Sequence, residues 1–171
     1  MQQIKWTERK FTFGYDKGYV LLFIERLNGV APRLEELLNN YDEGAASLSQ
    51  GNEWSIKEHV GHLADLELLH DGRMDDFIAG LEVLRPADMT NKETYNAHHN
   101  ERSIPELIAH FREVRGRFIK RAESLDEKYF EIKALHPRLQ QMVTITDILF
   151  FVAEHDNHHL ARIVHLSGQQ G

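Results

Sequence analysis

The stretch Thr144 to Leu166 constrains the chain more than any other. Its apolar residues Ile145, Ile148, Leu149, Val152, Leu160, Ile163 and Leu166 recur at steps of three and four, the period of a helix that buries one face. Thr144 with Asp147 three residues on opens that helix. Two histidines, His155 and His159, continue the apolar stripe instead of the solvated face. Residues four apart on a helix differ by about 40° around the axis and about 6 Å along it. Both imidazoles therefore reach one point, and two inward histidines one turn apart raise the question of a metal.

Three further arms share the helical period. Asp16 is a candidate cap for a helix to Leu27, Asn28-Gly29 reads as its C-cap, and Pro32 fits the first turn of a second segment. The first arm is thus expected to break near residues 28–32. Ser55 with Glu58, and Ser103 with Glu106, are capping boxes that start two more helices. Helices are expected at about 16–27, 31–40, 55–80, 103–124 and 144–167. Residues 1–15, with Trp6, Phe11, Phe13 and Tyr15, read as an irregular arm laid over the bundle. Residues 41–53 read as loop, 126–143 as mostly loop, and 86–102 as polar chain with at most a short helix. With no alternating strand pattern, the expected architecture is all-α, a four-helix bundle forming one domain over residues 1–171.

Composition narrows the chemistry. A chain of 171 residues is long enough for a sizeable core, and 42% hydrophobic with 27% charged residues is ordinary for a globular protein. It has no cysteine, which removes disulfides, thiolate ligands and a cysteine nucleophile together, so a metal must be held by His, Asp, Glu or water. The net charge of −7 argues against nucleic acid. The basic run Arg112, Arg115, Arg117, Lys120 and Arg121 is interrupted by Glu113 and Glu123 and reads as a solvated helix face. No apolar run approaches the roughly 18–20 residues that span a bilayer. With no secretory signal visible either, a cytoplasmic location is the default expectation.

Eleven histidines make about one four-residue pairing expected by chance, so the helical phase of His155 and His159 matters more than their spacing. A third ligand has two candidates on the second arm, His59 and His62. A three-nitrogen set leaves coordination positions open for water or substrate. Two other metal patterns are weaker. His155 to His159 departs from the zincin HExxH by carrying Asp for Glu, and Glu67 to His70 is the only clear ExxH where a di-iron bundle needs two. Glu58, Asp65 and Asp156 are candidates to orient imidazoles, each with an ordinary exposed helix acid as its plain alternative. Arg162 is a candidate anchor for an anionic substrate, with a neighbouring acid as its plainer partner.

The segment Trp54-Ser-Ile-Lys-Glu-His-Val-Gly-His62-Leu-Ala-Asp65 resembles the second-helix signature of the DinB/YfiT-like family, and His155-Asp-Asn-His-His-Leu-Ala-Arg-Ile163 resembles its C-terminal signature. The resemblance implies an up-down-down-up connection of the four helices, frequent dimerisation and a divalent metal near one end of the bundle. It places the ligands at His62, His155 and His159, with His59, His158 and His165 as bystanders or supports. It further implies metal-dependent transfer involving low-molecular-weight thiols, thiol-dependent isomerisation, or hydrolysis. A thiol would have to arrive as a substrate.

The expected function is therefore a divalent-metal-dependent small-molecule thiol transferase or hydrolase, with Zn²⁺ or Ni²⁺ as the metal and no catalytic side chain assigned. The alternative is a non-catalytic metal-binding or structural bundle, distinguished by whether an open cleft lies over the metal. Apolar residues including Phe77, Ile78, Phe150 and Phe151 add the expectation of a homodimer.

Overall fold

Side chains fix where the arms begin. The Ser55 hydroxyl accepts from the Glu58 amide while Glu58 accepts from the Ser55 amide at 2.7 Å. Ser103 and Glu106 repeat the box, with Pro105 early in the first turn where its missing N–H costs nothing. In the computed structural model, which describes residues 3–49, 51 and 53–168, the first arm is α1 (Val20–Asn28) and α2 (Val30–Leu38), followed by the single turn α3 (Glu43–Ala46). The second arm is α4 (Ile56–Asp65) and α5 (Glu67–Ile78), and the crossover beyond it carries α6 (Lys92–Asn96). The third arm is α7 (Ile104–Ser124). The fourth is α8 (Ile145–Gly168), preceded by a hairpin of β1 (Ala134–His136) and β2 (Gln141–Val143). No helix among the described residues is long and apolar enough to cross a membrane.

Two core clusters give the direction of each arm. One joins Phe23 and Leu27 of α1, Met74 and Phe77 of α5, Phe118 and Ile119 of α7, and Ile145 to Ala153 of α8. The other joins α2, the start of α4, the start of α7 and Leu160, Ile163 and Leu166 of α8. The first and fourth arms thus run toward the second cluster, and the second and third run away from it. This is the up-down-down-up bundle expected from the motifs. Because the second and third arms are parallel, the chain must travel back along the bundle between them, and that crossover lays α6 and the short 3-10 turn His99–Glu101 against α4.

Several local expectations need correction. Gly29 is the C-cap of α1, as expected, but at φ −71°, in the right-handed helical region, the chain passes almost directly from it into α2. The interruption follows from Pro32, which offers no amide to the turn behind it. The second arm is also interrupted, at Leu66, where a continuous helix over 55–80 was expected. Residues 126–143 are not simply loop. β1 pairs with β2 antiparallel, Ala134 opposite Val143, and Leu135 exchanges backbone bonds with Glu82 and Leu84 of the crossover. The aromatic arm behaves as expected: Trp6, Phe11 and Phe13 pack on Phe150 and Phe151, and the Gly14 and Tyr15 amides donate to Asp147. Phe77 is buried in the core and Phe151 beneath this arm, with Phe150 partly buried against it, so these three rings leave little surface for a second copy, whereas Ile78 is 38% exposed.

The basic run on α7 is not uniformly a solvated face. Arg112, Arg117 and Arg121 make ion pairs at or near the surface, but Arg115 is 3% exposed and lies between two buried acids. It donates to both oxygens of Asp156 on α8, at 2.5 and 3.1 Å, and to Glu67 on α5 at 2.7 and 3.1 Å. Burial alone would lower the Arg115 pKa, but the charges of Asp156 and Glu67 outweigh it and hold it above its ordinary value. Burial raises Glu67, whose second oxygen has no partner, against the pull of Arg115. Removing the cation leaves two buried carboxylates uncompensated. Arg115→Met should therefore cost about 3–5 kcal/mol, while Glu67→Gln, which keeps the two-pronged pair with Asp156, costs less. Urea unfolding of the two variants gives the order, and equal losses would contradict it.

Candidate metal centre

The interior face of α8 and the first turns of α4 meet at a cluster of imidazoles. Ligand-capable nitrogens of His62, His155 and His159 all lie within 4.8 Å of one another, and all three residues are buried. The inward phase of His155 and His159 follows from the α8 stripe. His62 faces them because Val60, Leu63 and Ala64 on either side of it belong to the core. Nε2 of His159 approaches Nε2 of His155 to 3.0 Å, the geometry of two lone pairs directed at one electrophile, whether proton or cation. Trp54, immediately before the Ser55 cap, covers the cluster with its ring 4.5 Å from that of His62 and stacked over His159 at 6.0 Å.

All three imidazoles are held neutral. Burial is the first cause in each: it lowers His62 to about 4, against the opposing charge of Asp65, and takes His155 and His159 well below the ordinary histidine value. Neutral nitrogens with free lone pairs are the state in which histidine binds a cation.

The far nitrogens are held as well. Nδ1 of His62 is 2.9 Å from the Thr94 hydroxyl, which sits 2.8 Å from an Asp65 oxygen. A carboxylate only accepts, so Thr94 gives its one proton to Asp65 and accepts from His62. His62 therefore carries its proton on Nδ1 and keeps Nε2 as the lone-pair nitrogen. His99 lies 2.9 Å from the same Asp65 oxygen. Burial pushes the Asp65 carboxyl up, but the bonds from His99 and Thr94 outweigh it and hold it below the usual range. His99 fits here because residue 61 is glycine: a Cβ there would come within 2.2 Å of the His99 ring. On the other side, Nδ1 of His159 lies 2.9 Å from Nδ1 of His59. With its lone pair on Nε2 given to the cluster, His159 donates from Nδ1, and His59 supports the set from behind.

The remaining candidates go elsewhere. His158 lines the same cavity outside the triad and engages Gln3, whose side-chain amide donates to its carbonyl and lies 3.0 Å from its Nδ1. Glu58 is consumed by the capping box and Asp156 by Arg115. Of the three proposed orienting acids, only Asp65 reaches an imidazole of the cluster, and it does so through Thr94. Arg162 is paired with Glu53. Thr94 and His99, which complete the support, lie in polar crossover chain that carries no periodicity to flag them. Their only sequence signal is a spacing that places them after the parallel arm.

The cluster opens onto a cavity of about 600 Å³, lined also by Trp6, His70, Arg73, His136, Arg138 and Phe151. Burial lowers His136 to about 3, helped by the charges of Arg73 and Arg138. It takes His70 well below its ordinary 6.5, helped by Arg73 and Arg115. The folded chain thus binds fewer protons at these sites than the unfolded chain at acid pH. Their contribution to stability is fully present above about pH 6.5 and is lost as pH falls toward their folded values. Thermal unfolding of metal-free protein should show a midpoint that drops between pH 6.5 and 4, and a midpoint rising on acidification would contradict the neutral assignment. Thr94→Val should weaken binding of a divalent ion about 10–100-fold while Thr94→Ser retains it, as read by competition with a chromogenic chelator.

The chain is similar to several known proteins. YfiT of Bacillus subtilis, a probable metal-dependent hydrolase, is 25% identical over 120 residues, covering 69% of this chain and 66%, just under two thirds, of that protein. Its solved structure, noted for an unusual four-helix bundle topology, superposes with a TM-score of 0.79 at 22% identity over 96% of this chain and 94% of that one. A mycothiol-dependent maleylpyruvate isomerase shares the fold at a TM-score of 0.65 and 12% identity, over 83% of this chain and 59% of that one. The family model of the DinB superfamily matches residues 26–163, from the end of α1 through the C-terminal histidines, and the chain belongs to that superfamily.

Proposed function

We propose that this chain is a divalent-metal-dependent enzyme acting on a small molecule, with His62, His155 and His159 as the ligands. The observation that supports it is the convergence of three neutral, buried imidazole nitrogens on the wall of a cavity large enough for a small substrate. Borderline nitrogen donors suit Zn²⁺ or Ni²⁺. A divalent cation held there supplies Lewis acidity, enough to generate a nucleophile from water or a thiol at neutral pH. The YfiT likeness supports hydrolysis and the isomerase likeness supports use of a low-molecular-weight thiol, which a chain without cysteine must receive from outside. The cavity over the histidines favours the catalytic reading above a purely structural metal, for which a closed site suffices.

The chain's own groups then have definite tasks. Thr94 and Asp65 keep the lone pair of His62 on Nε2, and His59 does the same for His159. His59 keeps a proton on its buried, unpartnered Nε2, a donor available to a bound substrate at the cavity wall. Trp54 and Trp6 shield the cluster from bulk water, Trp6 lying with its ring 5.0 Å from that of His155.

The test is elemental analysis of protein purified without a histidine tag, beside chelator-sensitive turnover of a panel of simple esters and of thiol conjugation to simple electrophiles. His62→Ala, His155→Ala and His159→Ala should each lose the ion, and His158→Ala should retain it. Full metal stoichiometry in His62→Ala would sink the ligand assignment. Metal bound with no chelator-sensitive turnover would favour the structural alternative.

A further inference from the structure

The same cavity carries a set of donors that the metal centre does not use. Arg73 of α5 is 2% exposed, and its Nε donates to the Arg85 carbonyl at 3.2 Å. Its neighbour Asp76 does not pair with it. Arg85 saturates both oxygens of Asp76 through its backbone amide and guanidinium, at 2.7 to 3.0 Å. Arg138 lies in the turn between β1 and β2 with a buried Nη2 that has no partner among the described residues. Its guanidinium sits 5.7 Å from the ring centres of both Trp6 and Phe151. Among the described residues neither Arg73 nor Arg138 makes an ion pair.

His136 adds a third donor. The Leu139 amide donates to its Nδ1 at 3.3 Å, so the ring proton is on Nε2, and that nitrogen is also buried without a partner. No free anionic acceptor matches them among the described lining residues. Asp88, the one carboxylate among the described lining residues, already accepts from the Thr90 amide and hydroxyl and the Lys92 amide, at 2.7 to 3.0 Å. Buried donors without acceptors, as at Arg138 and His136, are costly, and so are two guanidinium charges in one cavity with no ion-pair partner among the described residues. The chemical complement of such a donor set is an oxyanion.

We propose that Arg73, Arg138 and His136 form a subsite for the carboxylate of an organic substrate that reacts at the histidine cluster in the same cavity. A carboxylate on an organic body fits better than a free inorganic anion, because Leu66, Leu69, Met89 and the rings of Trp6 and Phe151 give the cavity apolar walls. The subsite stands on the donors alone. Its role in turnover rests on the metal-dependent reading above.

The test uses benzoate, its neutral counterpart benzamide, and inorganic phosphate, titrated calorimetrically into full-length protein in metal-free and metal-loaded form. Benzoate should bind both forms, and benzamide neither. Arg138→Gln and Arg73→Gln should each weaken benzoate on the order of tenfold or more, with Arg138→Lys recovering part of the loss. Arg138 is in a turn and half-buried, so its variants should keep the wild-type helical signal and divalent-ion binding even if Arg73→Gln does not fold. Unchanged benzoate affinity in Arg138→Gln, equal binding of benzamide, or binding of phosphate without benzoate would each overturn the carboxylate subsite. Benzoate binding only to metal-loaded protein would overturn it while sparing the metal centre. Benzoate binding through Arg138 in a protein that takes up no divalent ion would do the reverse.

Discussion

The bundle depends on one buried cation. Arg115 of α7 is held between Glu67 of α5 and Asp156 of α8, so three of the four arms share a single guanidinium. Taking these charges out of water is expensive, and the arrangement persists only because the forked donor meets both oxygens of Asp156 and one of Glu67. Asp156 directly follows His155. Anchoring that carboxylate fixes the rotation of α8 about its own axis, and this rotation turns His155 and His159 toward α4. The hydrophobic stripe alone permits some rolling of one helix on another; a two-pronged ion pair does not.

The same logic explains which parts of the molecule could be read from sequence. Capping boxes and apolar phase are local, and Ser55, Ser103 and the α8 stripe announced the arms with nearly correct limits. The motif pair around His62 and His155 carried the fold's direction and the candidate ligands, which the structure brings together. Arg115 was misread because a basic residue among other basic residues looks solvated until its carboxylate partners, 48 and 41 positions away, are placed. Thr94 and His99 were invisible for a related reason. Nothing local marks a threonine in polar chain as the acceptor for an imidazole; its role is set by the crossover that lays it on α4. The hairpin at β1 and β2 is too short to show alternation, and yet it brings His136 and Arg138 to the cavity.

The two layers around the histidines differ in origin. The ligand-bearing nitrogens come from regular helices, where periodicity fixes direction. Of the groups that hold or complement them, His59, Asp65 and Arg73 come from helices, and the rest from connections: Thr94 and His99 from the crossover, Arg138 from the hairpin turn and Trp6 from the N-terminal arm. Helices thus set the position of the cluster, and the connections complete its tautomers, cover and charge. A bundle with the same four arms and different connections would keep the histidines and change what they meet.

The parallel run of the second and third arms also carries a kinetic consequence. Such arms cannot close as a simple helical hairpin, so the contacts of α4 with α7 and α8 join parts of the chain far apart in sequence. Chain-closure entropy must be met before those contacts return anything, and folding slows as contact separation grows. His62 meets His155 only after the crossover has been laid down and α8 has docked. Until α8 has docked on α4, the histidines of the cluster are held apart.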